Sequence, residues 1–467
     1  AAVKENKTYA LVVSDIMSLV LLKSPAAMGA DVALGSTQRF GIPMGFGGPH
    51  AAYFAFSDKA KRSAPGRIIG VSKDAQGNTA LRMALQTREQ HIRREKANSN
   101  ICTSQVLLAN LAGMYAVYHG PEGLKRIATR IHAMATAFSD VIKAAGGELS
   151  VIHDQIFDTV LVDCGSERLA TQIYENAENV GYNLWREGDS KLSVSFSEIS
   201  NSADFETLTQ LFTNKAEALP SEAKVSLNDA VLRTDAILTH PVFNSHHTEH
   251  EMLRYMKKLE DKDLAMNRSM ISLGSCTMKL NATSEMLPIT WNEFANVHPF
   301  APQDQVTGYV AMIESLQEQL KAITGFDDIS MQPNSGASGE YAGLLAIRRY
   351  HESLGQANRD VCLIPKSAHG TNPATAQMMG MNVVVVATDE NGNVDLDDLK
   401  AKCEEHSENL GALMITYPST HGVFEAGIRD ICDLIHSHGG QVYMDGANMN
   451  AQVGIMQPAE VGADVLH

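Results

Sequence analysis

The sequence predicts an α/β protein that has a doubly wound parallel sheet in its C-terminal half and a smaller α+β unit near its centre. Two observations lead to this prediction. From about residue 240 to residue 467, apolar, β-rich runs alternate with helical segments, and the runs are about 20–30 residues apart, as in βαβ units. Between residues 140 and 215, strands and helices alternate over a much shorter stretch.

The C-terminal apolar runs are predicted to be strands that are buried on both faces. They are continuous rather than alternating, which is typical of parallel sheets. Helices are predicted between them at 395–403 and 428–435, where apolar residues recur three and four positions apart. The predicted strands are Val361–Pro365, Val383–Ala387, Ala412–Tyr417 and Gln441–Asp445.

The central unit is predicted to contain strands at Thr159–Asp163 and Leu192–Phe196. Helices are expected near 167–180 and 204–218, and residues 219–226 read as a linker. The opening block, to about residue 56, consists of Gly-rich strands and turns. We therefore expect three parts, at 1–56, 57–225 and 226–467.

Composition and charge exclude several classes of protein. Of 467 residues, 44% are apolar, 38 are Lys or Arg and 54 are Asp or Glu, which gives a formal net charge of −16. This composition suits a large folded core and excludes a disordered chain. The negative charge argues against nucleic acid or an anionic membrane as a partner, and no apolar run reaches the ~18 residues of a membrane helix.

The six cysteines are far apart and form no Cys-x-x-Cys pair, so we expect free thiols in a reducing compartment and no metal site. No signal peptide is visible at the start. The chain lacks an initiator Met and ends in what reads as a strand entry, Gly462–His467. The expectation is that it is a piece of a longer protein.

The tetrapeptide Gly-Ala-Asp-Val occurs twice, at 29–32 and at 462–465, each time before a predicted strand. A tandem duplication explains this repeat. Coincidence explains it equally well when only these four residues are considered.

The segment 334–339, Asn-Ser-Gly-Ala-Ser-Gly, precedes a strong helical pattern. A helix start offers free backbone N–H groups and the positive end of the helix dipole, and small residues allow an anion to approach. The segment is therefore a candidate phosphate-binding site. An ordinary N-cap is the alternative, and it is favoured for this motif taken alone.

Two further polar residues follow predicted strands. His369 lies in a loop after Val361–Pro365, at the sheet edge where α/β proteins bind ligands, and can contact a ring or move protons. Asp445 ends its strand, where a buried carboxylate needs a cationic partner such as a protonated heterocyclic nitrogen. Caps of local turns are the alternative roles for both residues.

In combination, this order of motifs resembles the pyridoxal phosphate enzymes of the aspartate aminotransferase fold type (fold type I). The resemblance extends to one family, the P-protein of the glycine cleavage system, which is the decarboxylating glycine dehydrogenase. It implies a fold type I large domain with an α+β small domain, and two tandem homologous halves that are both incomplete here. The stretches that carry it are 35–50, 86–96, 272–281, 367–374 and 444–454.

The resemblance implies that His369 and Asp445 are catalytic. The cofactor, pyridoxal phosphate, would be bound by Ser335, Gly336, Ala337, Ser338, His369, Thr371, Asp445 and Ala447. The substrate side would be lined by Ser275, Cys276, Thr277, Lys279 and Asn281. The implied reaction is decarboxylation of glycine, with release of CO2 and transfer of the aminomethyl group to the lipoyl arm of the H-protein.

The resemblance also implies contact with other glycine cleavage components, a homodimer, and a location in the bacterial cytoplasm or the mitochondrial matrix. Residues 1–56 would end the first large domain, 57–225 would hold interface helices and the small domain, and 226–467 would hold an arm and the cofactor-binding domain. The resemblance favours duplication as the origin of the repeat. The first half of the family has lost cofactor binding, and the stretch from Val32 to His50 contains Gln38 and Arg39 but no lysine.

In the family, the lysine that forms the Schiff base follows the second repeat, whereas this sequence stops at His467. We therefore expect no covalent cofactor attachment and no activity from this chain alone. A non-catalytic assembly fragment and another fold type I enzyme, such as an aminotransferase, are the alternatives. The basic cluster Arg82, Arg88, His91, Arg93, Arg94 and Lys96 is predicted to be a solvated helix face or a contact between the halves, rather than a carrier-docking surface.

Overall fold

A computed structural model describes residues 6, 8–48, 50–64, 66–85, 105–222, 224–262, 265, 268 and 282–467. The chain divides into two compact units. The first comprises residues 1–58, 107–265 and 289–301, and the second comprises residues 59–106, 266–288 and 302–467. The domain boundaries after residues 56 and 225 remain a prediction.

The elements are numbered in chain order. The strands are β1 (Leu11–Val13), β2 (Val32–Ser36), β3 (Ala52–Phe56), β4 (Ile69–Lys73), β5 (Thr79–Met83), β6 (Ser150–Val151), β7 (Thr159–Asp163), β8 (Trp185–Glu187), β9 (Lys191–Ser195), β10 (Val361–Pro365), β11 (Asn382–Val386), β12 (Leu410–Thr416), β13 (Gln441–Asp445) and β14 (Val465–Leu466). The helices are α1 (Val106–Ala145), α2 (Glu167–Asn179), α3 (Ser202–Thr213), α4 (Glu249–Glu260), α5 (Thr283–Met286), α6 (Asn292–Ala295), α7 (Thr307–Thr324), α8 (Gly336–Ser353), α9 (Thr371–Met378), α10 (Leu396–Glu405) and α11 (Ile428–Ser437). No helix in the described ranges is both long and apolar enough to cross a membrane.

The first unit contains two small sheets. In one, β1 pairs parallel to β2, and β2 pairs antiparallel to β3. The other is antiparallel, in the order β6-β7-β9-β8. Phe138 of α1 packs edge-on against Phe196 and Phe212 in the core of this unit.

The α+β unit predicted near the centre is present, and capping residues set its helix ends. Ser166 caps α2, and Asn201 forms a capping box with Asp204 at the start of α3. Helix α3 ends at Thr213 rather than near 218, because Asn214 adopts the left-handed conformation, with φ of 59°. The sequence analysis did not locate the 40-residue helix α1, which is kinked at Gly120 before Pro121.

The second unit contains the predicted parallel sheet. Its five strands run in the order β11-β10-β12-β13-β14, and every pairing is parallel. Alternate residues of β10 enter two different apolar clusters: Val361 and Leu363 pack with α10 and α11, whereas Cys362 and Ile364 pack with α8 and α9. Both faces of the sheet are therefore covered, which explains why the strands read as continuous apolar runs.

The two Gly-Ala-Asp-Val copies make the same contacts within their own units. The Asp31 N–H donates to the Ala10 carbonyl over 2.8 Å, and its carboxylate accepts the Ala10 N–H over 3.0 Å. Asp464 bonds both backbone groups of Val442 in the same way, over 2.9 and 2.6 Å. The following residues enter β2 and β14 in the same parallel register, Leu11 opposite Val32 and Tyr443 opposite Val465. This match favours duplication over coincidence.

Candidate active site

Helix α8 begins with the small residues that were predicted to hold an anion. The Ser335 hydroxyl oxygen accepts the Ser338 N–H over 3.1 Å, and the Ser335 carbonyl accepts the Gly339 N–H over 2.8 Å. These are the bonds of an ordinary N-cap, the favoured alternative for this motif alone. The cap still leaves the first N–H groups of the 18-residue helix, at Gly336 and Ala337, without intrahelical acceptors. The helix start therefore offers backbone donors and a dipole to an anion.

His369 lies in the loop between β10 and α9, at the carboxyl edge of the parallel sheet. Its backbone N–H donates to the Thr416 hydroxyl oxygen over 2.9 Å, and its Nδ1 accepts the Thr371 N–H over 3.4 Å. These bonds connect the loop to the end of β12 and to the first residue of α9. The imidazole is half-buried, with Nδ1 turned toward the start of that helix.

Asp445, at the end of β13, has only 1% of its surface exposed. Its Oδ2 accepts the Asn372 side-chain N–H over 3.1 Å and lies 3.3 Å from the Thr416 hydroxyl. Its Oδ1 accepts the Ala447 backbone N–H over 3.1 Å. The backbone of Ala447, rather than its exposed side chain, thus holds the carboxylate.

A second buried acid, Glu340, lies in the first turns of α8, and the sequence analysis missed it. It is 1% exposed, and it accepts hydrogen bonds from Asn372 over 3.2 Å and from Thr375 over 2.6 Å. Burial raises its pKa to about 8, and the charge of Asp445 adds to the rise, whereas the Thr375 and Asn372 hydrogen bonds oppose it. A sequence signal existed, because Glu340 is three, four and seven residues before Gly343, Leu344 and Ile347 on the buried face of the helix.

The imidazole of His467 lies between the helix start and the acids. Its Nε2 is 3.5 Å from Asp445 Oδ1 and 4.0 Å from Glu340 Oε1, and its Nδ1 is 2.8 Å from the Tyr443 hydroxyl. A Cβ added to Gly339 would come within 2.9 Å of the His467 side chain, so the approach requires glycine there. Burial lowers the pKa of His467, which favours the neutral ring, although Asp445 opposes this effect.

The aromatic nitrogen heterocycle in this space is the chain's own His467, with Nε2 beside Asp445 and with Gly336 and Gly339 of the helix start against its side. Gly336 and Asp445, which were both predicted to bind the cofactor, lie beside the ring of His467, and the His369 loop is bonded to Thr416 next to Asp445. Their roles in binding stay predictions. The predicted substrate-side residues Ser275, Cys276, Thr277, Lys279 and Asn281 lie outside the described residues, as do all members of the basic cluster except Arg82.

Arg39, which follows the first repeat, contacts three acids in the first unit. It bonds Asp15 over 3.0 Å, contacts Asp158, and lies 3.5 Å from Glu198. Although burial opposes it, the charges of the three acids raise the pKa of Arg39. The guanidinium of Arg39 therefore forms ion pairs with acids of the first unit.

Comparison with known proteins identifies the family. The family model "Glycine cleavage system P-protein" matches residues 1–212. Glycine dehydrogenase (decarboxylating) of Psychrobacter arcticus is 86% identical over 468 residues, which cover 100% of this chain and 48% of that protein. The chain belongs to the P-protein family of the glycine cleavage system. Glycine dehydrogenase (decarboxylating) of Chromobacterium violaceum is 69% identical, over 100% of this chain and 49% of its own length.

The chain thus spans about half the length of the curated P-proteins that it matches. Among solved structures, an inhibitor-bound glycine decarboxylase (P-protein) is 29% identical, with a TM-score of 0.41, over 46% of this chain and 49% of that one. A sphingosine-1-phosphate lyase from Burkholderia pseudomallei is 16% identical, with a TM-score of 0.36, over 46% and 53%.

Proposed function

We propose that this chain contributes a pyridoxal phosphate site to a protein that decarboxylates glycine and transfers the aminomethyl group to a lipoyl arm. The observation that carries the proposal is the buried carboxylate of Asp445, whose Oδ1 faces the ring nitrogen Nε2 of His467 at 3.5 Å, beside the start of α8. Membership of the P-protein family supports the same chemistry.

The residues present fit the cofactor. The N–H groups at Gly336 and Ala337, with the hydroxyls of Ser335 and Ser338, would hold its phosphate. Thr371 and His369 would border the site from the loop after β10, and Ala447 would border it after β13. When bound, pyridoxal phosphate supplies an electron sink that allows the bond to the glycine carboxylate to break.

Asp445 would keep a proton on the ring nitrogen. A carboxylate that is buried and bonded by Asn372 and the Ala447 N–H has a fixed orientation, so it needs no rearrangement when it meets a cationic N–H. A protonated ring nitrogen withdraws electrons most strongly, which is the property that decarboxylation requires. The chain would thus set the protonation state of the ring.

The proposed partners follow from the family. Glycine is the substrate, the lipoylated H-protein accepts the aminomethyl group, and the other glycine cleavage components complete the cycle. We also propose a homodimer and a cytoplasmic location, which the bacterial relatives support. Ser275, Cys276, Thr277, Lys279 and Asn281 are proposed to contact the substrate.

Binding of pyridoxamine phosphate to this chain tests the cofactor site, because this ligand forms no imine with lysine and reports only non-covalent contacts. We expect Asp445→Asn to weaken binding roughly ten- to a hundredfold, since it removes a charge-assisted hydrogen bond of about 1.5–3 kcal/mol. Asp430→Asn, at an exposed position in the first turn of α11, is the matched control. Equal affinities for Asp445→Asn and the parent chain would refute the role of Asp445.

The reaction itself is tested on the protein purified from its own source. With carboxyl-labelled glycine and a lipoylated carrier, the label is expected to appear in CO2, and release should require the carrier. Release of label into a keto acid instead of CO2 would contradict decarboxylation.

A further inference from the structure

Asn372 joins the two buried acids through its side-chain amide. Its nitrogen donates one hydrogen to Glu340 Oε1 over 3.2 Å and the other to Asp445 Oδ2 over 3.1 Å. Its oxygen accepts the Thr416 hydroxyl over 3.1 Å. The side chain is fully buried, and the reversed amide would place an oxygen against both acids. Asn372 therefore has one favourable orientation.

Glu340 fixes this amide from the side opposite Asp445. Its other oxygen is bonded to Thr375 over 2.6 Å, so the carboxyl group is held at both oxygens. Helix α8 contributes Glu340 to the resulting chain of hydrogen bonds, and helix α9 contributes Asn372 and Thr375. The chain runs from Thr375 through Glu340 and Asn372 to Asp445. Beside the two acids of this chain of hydrogen bonds lie the ionisable side chains of His467 and Tyr443.

The bond at Oδ2 leaves the other oxygen of Asp445 facing the space in which the His467 ring lies. Asn372 donates to Oδ2, and the Thr416 hydroxyl oxygen lies 3.3 Å from it. Oδ1 receives only the Ala447 N–H within the described contacts and faces the imidazole nitrogen of His467 at 3.5 Å. Rotation of the carboxylate away from this plane would break the Asn372 bond, so the Asn372 bond fixes the direction in which the other oxygen points.

We propose that Glu340 and Asn372 are positioning residues, which orient Asp445 so that Oδ1 meets the ring nitrogen of the cofactor. This inference rests on the proposed function, because it gives a role to residues behind Asp445. Neither residue needs to touch the cofactor. The burial that raises the pKa of Glu340 to about 8 supports it, because a neutral Glu340 adds no second negative charge beside Asp445.

Two ligands separate positioning from a merely structural role. One is pyridoxamine phosphate, and the other is its analogue in which carbon replaces the ring nitrogen. The parent chain is expected to bind the nitrogen-containing ligand at least about tenfold more tightly, since only that ligand bonds Asp445. Affinities are measured by calorimetry on the 467-residue chain.

We expect Asn372→Ala to reduce the preference for the ring nitrogen to within about twofold while binding of the carbon analogue changes little. Glu340→Ala should have the same effect. Glu340→Gln should keep the preference, because the glutamine amide oxygen still accepts from Asn372. Its NH2 group can donate to the Thr375 hydroxyl oxygen, in place of the bond that Thr375 donates to Glu340. Thr416→Val tests the orientation of Asn372 without changing that residue, since it removes the hydrogen bond from Thr416 to the Asn372 oxygen with little change in volume. It should also reduce the preference for the ring nitrogen. Glu352→Gln, exposed on the same helix, is the control.

Equal weakening of both ligands in Asn372→Ala and Thr416→Val would show a structural role only and would overturn the proposal. A parent chain that does not distinguish the two ligands would overturn the proposed role of Asp445 and this proposal with it. If the parent chain prefers pyridoxamine phosphate over the carbon analogue and the variants keep the same preference, the positioning role alone is overturned.

Discussion

The pH dependence of stability offers a quantitative test of the buried Glu340. Burial raises its pKa from 4.5 to about 8, Asp445 adds to the rise, and hydrogen bonds from Thr375 and Asn372 oppose it. Between these two pH values the folded protein keeps a proton on Glu340, whereas the unfolded chain releases it. The stability contributed by this proton is therefore complete below pH 4.5 and is lost as the pH rises through about 8.

The size of the effect follows from the pKa difference. A rise from 4.5 to about 8 spans about 3.5 pH units, and at about 1.4 kcal/mol per unit the total is about 5 kcal/mol. Glutamine has no proton to release, so the stability of Glu340→Gln relative to the parent chain should increase by about 1.4 kcal/mol per pH unit across this window. The neighbouring ionisable side chains are the same in both proteins, so most of their contribution cancels in the difference.

Urea denaturation of both proteins at a series of pH values measures this difference from the transition midpoints and slopes. Glu352→Gln is the matched control, because Glu352 lies on the same helix in an exposed ion pair with Arg349, and such pairs contribute little. A Glu340→Gln difference that stays constant within about 0.5 kcal/mol between pH 5 and 8 would refute the reasoning, because a raised pKa requires a slope there.

Two further predictions concern packing and charge. Gly343→Ala places a Cβ 2.4 Å from the Tyr443 ring and 2.7 Å from Val465, so we expect the free energy of unfolding to fall by about 1–3 kcal/mol. Gly308→Ala in α7 meets nothing within 4 Å and should raise it by about 0.5–1 kcal/mol. Shifts of the urea midpoint in the same direction for both variants would contradict this prediction. Arg39→Met leaves three acids without their cation and should cost about 3–5 kcal/mol. A change in the thermal midpoint no larger than that of an exposed Arg-to-Met substitution would show that these ion pairs contribute little.

The sequence was most informative for the parallel sheet. Strands β10 and β13 have the predicted bounds, Val361–Pro365 and Gln441–Asp445. A strand buried on both faces needs apolar residues at every position, so its ends are marked where polar residues begin. The exposed edge strand β8 gave no such signal, because an edge strand with one covered face can contain residues such as Trp185, Arg186 and Glu187.

The site was only partly predictable. Ser335, His369 and Asp445 could be named as candidates because each follows or precedes a recognisable element at the sheet edge. The spacing of Glu340 from the apolar residues of its helix indicated a buried position. It did not indicate a role, which depends on Asn372 and Asp445, 32 and 105 residues further along the chain. Hydrogen bonds between residues so far apart leave no local pattern. The Gly-Ala-Asp-Val repeat was ambiguous for the same reason, until the bonds of Asp31 and Asp464 could be compared.

The most direct test of the account is the protonation state of the ring nitrogen in bound pyridoxamine phosphate. Nuclear magnetic resonance of an isotope-labelled ring nitrogen, recorded on the complex across a pH series, reports this state. We predict that the nitrogen stays protonated throughout the neutral range in the parent chain and loses its proton at lower pH in Asp445→Asn. A ring nitrogen that titrates in the parent complex as it does in free solution would contradict the central claim that Asp445 holds its proton.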